Sequence, residues 1–186
     1  MISYIFIGLA ALCVTITVII YNTLTAKKLM VDNGWSDIDV QLKRRADLIP
    51  NLVEVVKGYA EHERGTLEEI IETRNRVLTA PDEPTAERQA GESEISQGLT
   101  RLFALAEAYP DLKANEQFLS LQKELSKTED EISYARRFFN GAVRDYNTAR
   151  ESFPSNIFAG IFNFGPREFF EIEEVDRLNP NISLNG

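Results

Sequence analysis

The 186-residue chain has one cysteine, Cys13, and one histidine, His62. A lone cysteine closes no internal disulfide, and a lone histidine cannot supply the paired ligands of common zinc sites, so disulfide scaffolds and most transition-metal enzymes are excluded. Basic residues are the minority, 20 Lys and Arg against 29 Asp and Glu, for a formal charge of −9. Such a chain repels a phosphate backbone and is not expected to bind nucleic acid. Ten glycines and seven prolines are too few for the turns of an all-β protein, and no segment alternates apolar and polar residues long enough to make a strand. There is no Gly-rich phosphate loop and no serine in a Gly-x-Ser-x-Gly turn, and Cys13 lies in the apolar N-terminus. Neither a cofactor nor a small-molecule substrate is indicated, and the length leaves room for one domain with an anchor.

What is present begins at the N-terminus. No side chain from Met1 to Ala26 is charged, and Ile2 to Tyr21 is almost continuously apolar. That is the roughly twenty residues a helix needs to cross a bilayer. A cleaved signal peptide would have a basic start, a shorter apolar core and a small-residue cleavage site, and lipidation at Cys13 would want a small residue where Leu12 stands. The stretch therefore reads as a retained single-pass anchor. Lys27 and Lys28 follow it, with Lys43, Arg44 and Arg45 further on, so the positive-inside rule places the N-terminus outside and the remainder in the cytoplasm. The expected organisation is an anchor and juxtamembrane segment over 1–26, a helical-bundle domain over 27–170 and an acidic tail over 171–186.

Beyond the anchor, apolar residues recur at helical spacing. Ile38, Leu42, Ile49, Leu52, Val56, Tyr59, Leu67, Ile70 and Val77 predict one long helix, kinked at Pro50, with Gly34 as a hinge between anchor and domain. The run TAPDEPT stops it, and Asp82 is a candidate N-cap for the next helix. That helix is acidic at first, with Gly91 and Gly98, then carries Ile95, Leu99, Leu102, Ala106 and Tyr109 before Pro110 closes it. The third shows a sustained heptad seam: Phe118, Leu121, Leu125, Thr128, Ile132, Ala135, Phe139, Ala142, Tyr146, Ala149 and Phe153 alternate gaps of three and four. Pro154 ends it. The class is all-α: an N-terminal transmembrane helix, then an up-down-up bundle of long antiparallel helices.

Six of the eleven phenylalanines fall between Phe153 and Phe170, and Asn156 to Phe162 predicts about two turns of helix. It closes the bundle in one reading. In the other, Phe158, Phe162 and Phe164 sit in the membrane interface. His62 reads as a surface residue. The polar residues expected where helices meet are Arg44, Arg45, Asp47, Pro50, Asn51 and Glu54 on the first helix, and Arg136, Arg137, Asn140, Arg144 and Asn147 on the third. Asp47 or Glu54 facing Arg136 or Arg144 would tie the helices in register, and Asn75, Asn140 and Asn147 are candidates for structural hydrogen bonds.

Three blocks carry a family resemblance. They are Trp35 to Glu54 (WSDIDVQLKRRADLIPNLVE) with VKGYA and HE after it, Glu107 to Asn115 (EAYPDLKAN), and Ala135 to Asn140 (ARRFFN) with Val143, Tyr146, Asn147, Phe153 and Pro154. Together they resemble the LemA family from the anchor to about Phe170; many members read Tyr-Tyr or Phe-Tyr where Phe138-Phe139 stand. The resemblance implies a bacterial inner-membrane, single-pass protein with long antiparallel helices. A relative that helps build the magnetosome membrane implies membrane organisation. No catalytic residue carries over.

Two functions follow as expectations. One is a non-enzymatic, membrane-anchored scaffold acting through self-association or recruitment of another membrane-associated protein, motivated by the anchor and the heptad seam. The alternative is a sensor or signalling adaptor whose first helix couples anchor to bundle through Gly34 and Pro50.

Overall fold

The computed structural model describes residues 1–171, so the expected acidic tail lies outside the described residues except for Glu171. The elements are α1 (Ile2–Lys57), α2 (Arg64–Thr79), α3 (Ala86–Ala106), α4 (Pro110–Lys113), α5 (Glu116–Glu151) and α6 (Ser155–Ile161), with a 3-10 turn at Glu61–Glu63. Among the described residues there is no strand. The protein is an all-α bundle with a long, apolar N-terminal helix. The most apolar stretch of α1 has none of its residues buried, and α1 is the one helix among the described residues long and apolar enough to cross a membrane.

Several boundaries differ from expectation, each for a local reason. The single helix expected from Trp35 to Val77 is two, because α1 ends at Lys57 and Gly58 to Ala60 form a turn. Glycine is among the poorest helix formers, and the turn lets Ala60 sink into the core at 1% exposure. Pro50 does not interrupt α1. Its neighbours Ile49 and Leu52 are fully buried, and that packing offsets the roughly 3 kcal/mol an internal proline costs. Thr85, not Asp82, caps α3, its hydroxyl accepting the Arg88 N–H at 3.2 Å. Pro110 opens α4 rather than closing α3, a first-turn position where its missing N–H is harmless. Gly34, expected as a hinge, is buried within α1, and a Cβ there would lie 3.3 Å from Phe138 Cδ1 and from the Phe139 backbone.

Among the described residues the chain divides into two compact units, Met1–Ile38 with Ser133–Phe169 and Asp39–Ile132 with Phe170 and Glu171. In the second, the last part of α1, α2, α3 and the first part of α5 surround a core that includes Ile49, Leu52, Val56, Ile70, Leu99, Leu102, Phe118 and Leu125. Successive helices run antiparallel. Arg76 pairs with Glu94 and Arg101 with Glu69 (2.9 Å), so numbers rise on α2 as they fall on α3. The glycines of α3 allow this approach: a Cβ on Gly91 would sit 2.5 Å from Val77 Cγ2, and one on Gly98 3.0 Å from Ile70 Cγ1.

In the first unit, α1 runs antiparallel to the second part of α5, with Trp35 edge-on to Phe139 at 5.9 Å. After α6, Asn163 adopts φ 55°, a left-handed conformation that asparagine tolerates better than most residues, and the chain turns back. The seam of α5 is met by burial at Phe118, Leu125, Thr128, Ile132, Phe139, Ala142 and Tyr146, whereas Phe153 is 80% exposed.

The glycine contacts give a paired test. Gly91→Ala adds a methyl against a stiff valine, and overpacking of about 1–3 kcal/mol outweighs the gain of nearly 1 kcal/mol in helix propensity. Gly141→Ala on α5 meets nothing within 4 Å. Thermal unfolding of the full-length protein in detergent is expected to shift down for Gly91→Ala and up for Gly141→Ala.

Candidate functional site

Arg45 falls on the α1 seam Ile38, Leu42, Arg45, Ile49, Leu52, where a heptad places an apolar residue. Its side chain is fully buried. One terminal nitrogen donates to Glu92 Oε2 at 2.5 Å and the Glu92 carbonyl at 3.2 Å, the other to Glu129 Oε1 at 2.6 Å and Ser96 Oγ at 2.8 Å. Nε, also buried, has no partner among the described residues. The second oxygen of Glu92 accepts from Arg88 Nε at 2.7 Å, and Arg88 reaches Asp39 at 3.3 Å. Asp39 also holds Lys43 one turn along α1.

The cluster is electrically balanced: Arg45, Arg88 and Lys43 against Glu92, Asp39 and Glu129. Burial works against the charge on Arg45, yet the charges of Glu129 and Glu92 and their hydrogen bonds outweigh it and raise its pKa. The Asp39 hydrogen bond and charge likewise raise Lys43, whose side chain is more than half exposed. These groups hold three helices in register. None of them presents a nucleophile or a poised acid–base pair to a cleft.

In the other unit, three groups on α5 hold the segment after α6. The Asn147 amide accepts the Arg167 N–H at 3.0 Å and donates to the Arg167 carbonyl at 2.8 Å. Tyr146 donates its hydroxyl to the Gly165 carbonyl at 2.8 Å, and Arg150 Nε donates to the Phe164 carbonyl at 2.9 Å. Burial pushes the Tyr146 phenol up, against the opposing pull of Arg167 and Arg150, so it stays a proton donor. Phe162 and Phe164 thereby meet Tyr21, the last residue of the apolar run, edge to face at 5.1 and 5.6 Å.

The remaining expected residues disperse. Arg44, Asn51 and Glu54 are exposed, Pro50 is half-buried, and Asp47 is an exposed carboxylate 3.9 Å from Arg74. Arg144 lies 3.8 Å from its neighbour Asp145, Arg137 stacks over the Tyr134 ring at 4.6 Å, and Arg136 and Asn140 are half-buried. Asn75 accepts from Arg74, and His62 is exposed in the 3-10 turn. Phe158 and Phe164 are half-buried and Phe162 is 41% exposed. Asp39, Arg88, Glu92 and Glu129 are the charged residues of this cluster that sequence reasoning misses. A signal exists: Arg88, Glu92, Ile95, Leu99 and Leu102 share one heptad phase, so the two charges extend the apolar stripe of α3.

Removing one member of a buried ion pair strands the other. Arg45→Met is expected to destabilise the full-length protein by about 3 kcal/mol, and Arg45→Met combined with Glu92→Met by less than the sum of the single changes. Chemical denaturation in detergent, followed by helical circular dichroism, measures both. Additive losses would mean that the two side chains are energetically independent.

Several known proteins are similar to this chain over most of its length. Protein LemA of Metamycoplasma hominis is 26% identical over 162 residues, covering 87% of this chain and 74% of the relative. Magnetosome protein MamQ 2 of Paramagnetospirillum magneticum is 24% identical over 175 residues, 81% of this chain and 64% of the relative. Magnetosome protein MamQ of Magnetospirillum gryphiswaldense is 24% identical over 159 residues, 73% of this chain and 58% of the relative. The chain thus spans less than two thirds of the length of these magnetosome proteins. The profile of the LemA family matches residues 34–184, most of the sequence, including the Arg45 cluster and the Asn147 clamp. On that match, the chain belongs to the LemA family.

Proposed function

We propose that this protein is a non-enzymatic, membrane-anchored organiser that acts through helix-mediated self-association or by recruiting a membrane-associated partner. The observation that carries the reading is α1 itself. Its first turns are apolar and wholly exposed, a state that water penalises and lipid does not, and the same helix goes on to supply Arg45 to the buried cluster. The buried ionisable groups neutralise one another, so their role is to hold the bundle rather than to react. The kinship with proteins named for the magnetosome supports a task in organising membranes.

In this reading residues 1–26 are the anchor, 27–170 the helical body and 171–186 a tail, with the body in a bacterial cytoplasm because Lys27 and Lys28 follow the span. The signalling alternative needs a mobile joint. Gly34, buried and packed against Phe138, is poorly suited to be one, which favours the organiser. The aromatic group beside Tyr21 belongs at the membrane surface: α6 exposes Ile157 and Ile161 near Phe162, and Tyr21 ends the apolar run.

Two experiments test these statements. With Cys13→Ala as background, Asp82→Cys is expected to resist an impermeant thiol reagent in intact cells and to react after lysis, while cross-linking in native membranes yields oligomers or a discrete partner adduct. Labelling in intact cells reverses the topology, and a protein that stays monomeric and unpartnered contradicts the organiser. Separately, Phe162→Trp in a Trp35→Phe background is expected to fluoresce with strong quenching by lipids brominated near the headgroup. Unquenched emission would place α6 in water.

A further inference from the structure

Next to Tyr21, α1, α5 and the segment after α6 enclose an open cleft of about 400 Å³. Tyr21, Thr25 and Lys28 line it from α1, spaced four and three residues apart and so on one helical face. Tyr146, Phe164 and Arg167 line the facing side. The wall is graded. At the end of the apolar run it is aromatic, with Tyr21 against Phe164, and further along it is cationic. By helical rise Thr25 lies about 6 Å and Lys28 about 10 Å beyond Tyr21. A headgroup layer is about 5–8 Å deep above the hydrocarbon, so Thr25 falls within it and Lys28 at its outer edge.

Three features of the wall point to an anion. Lys28 has no ion-pair partner among the described residues. Asp32 engages one terminal nitrogen of Arg167 at 2.7 Å, which fixes that guanidinium at the cleft while opposing only part of the local positive charge. Thr25 is the third. In α1, Thr15, Thr17 and Thr23 each return the hydroxyl to the carbonyl four residues back, at 2.8–2.9 Å. The Thr25 hydroxyl does not: its oxygen is buried in the wall and has no hydrogen-bond partner among the described residues. In a chain of formal charge −9, two cations lining one cleft, only one of them held by a carboxylate, with an unsatisfied hydroxyl buried in the wall, are a local reversal of sign.

We propose that this cleft binds a phosphoester anion, and that its source is the headgroup of an anionic phospholipid, with Lys28 as the principal charge, Arg167 as the second and the unsatisfied Thr25 hydroxyl turning about its side-chain bond to donate a hydrogen bond. The acyl chains of that lipid lie along the aromatic end of the cleft, where Tyr21 meets Phe162 and Phe164. The inference rests on the anchored reading, because only a protein held in the bilayer keeps Thr25 and Lys28 at headgroup depth.

The test uses the full-length protein in detergent, with phosphatidylglycerol and phosphatidylcholine of identical chains added in competition and retained lipid counted by native mass spectrometry. The expected result is preferential retention of one phosphatidylglycerol, cut roughly fivefold by Lys28→Gln, kept by Lys28→Arg and kept by Lys27→Gln one residue away. Equal retention of the two lipids overturns the proposal, as does a preference that survives both Lys28→Gln and Arg167→Gln. Displacement of the lipid by millimolar glycerol phosphate assigns the cleft to soluble phosphoesters and overturns the lipid source. Alkaline carbonate extraction separates the two levels: a protein that washes off membranes defeats the anchored reading itself, whereas one that stays and shows no lipid preference defeats only the headgroup site.

Discussion

A guanidinium with no exposure to water governs the bundle. An unpaired charge in such a place is prohibitive, so the neighbouring helices are constrained to deliver carboxylates to it. Glu92 comes from α3 and Glu129 from α5, while Arg88 and Asp39 complete the charge balance around Glu92. The constraint acts on register more than on net stability. Apolar side chains on a heptad seam can slide by one repeat and still be buried, but a slide of any helix would leave Arg45 facing the wrong layer. The two terminal nitrogens carry the bonds to both carboxylates, and Nε has no partner among the described residues.

A different principle holds the segment after α6. It is not helical, so no helical ladder satisfies its carbonyls. The second part of α5 provides partners through Tyr146, Asn147 and Arg150, each reaching a backbone carbonyl of that segment. Asn147 also takes a backbone N–H, so a single amide imitates the pairing of a strand. Phe162 and Phe164 are thereby fixed against Tyr21 by hydrogen bonds made elsewhere.

Much of this is legible in the residues. The α5 seam can be read almost position by position, because a sustained alternation of three and four matches the period of a helix and not that of a strand. Asn147 stands out for the right reason, an asparagine within a helix that needs a partner. The break at Gly58 is not legible, because the apolar phase continues through it and only the burial of Ala60 makes the turn worthwhile. Arg45 is visible as a helix-contact residue, but its partners are not. The pairing expected between α1 and the third helix relies on Arg136 and Arg144, whereas a positive charge at Arg45 needs Glu92 and Glu129. Gly91 and Gly98, in sequence the marks of a weak helix, are points where α2 side chains pack directly onto α3. That closeness is set by Val77 and Ile70 of the partner helix, which α3 alone does not reveal.

The partners of Arg45 stand far away along the chain, Glu92 at 47 residues and Glu129 at 84, and Arg167 meets Asp32 across 135. During synthesis, then, Arg45 emerges well before Glu92 and longer still before Glu129, and its set of carboxylates is complete only once the chain has passed Glu129. A chain ending before Glu129 lacks one of the two carboxylates that balance the buried guanidinium, so the bundle in its native register depends on a residue supplied late in the sequence.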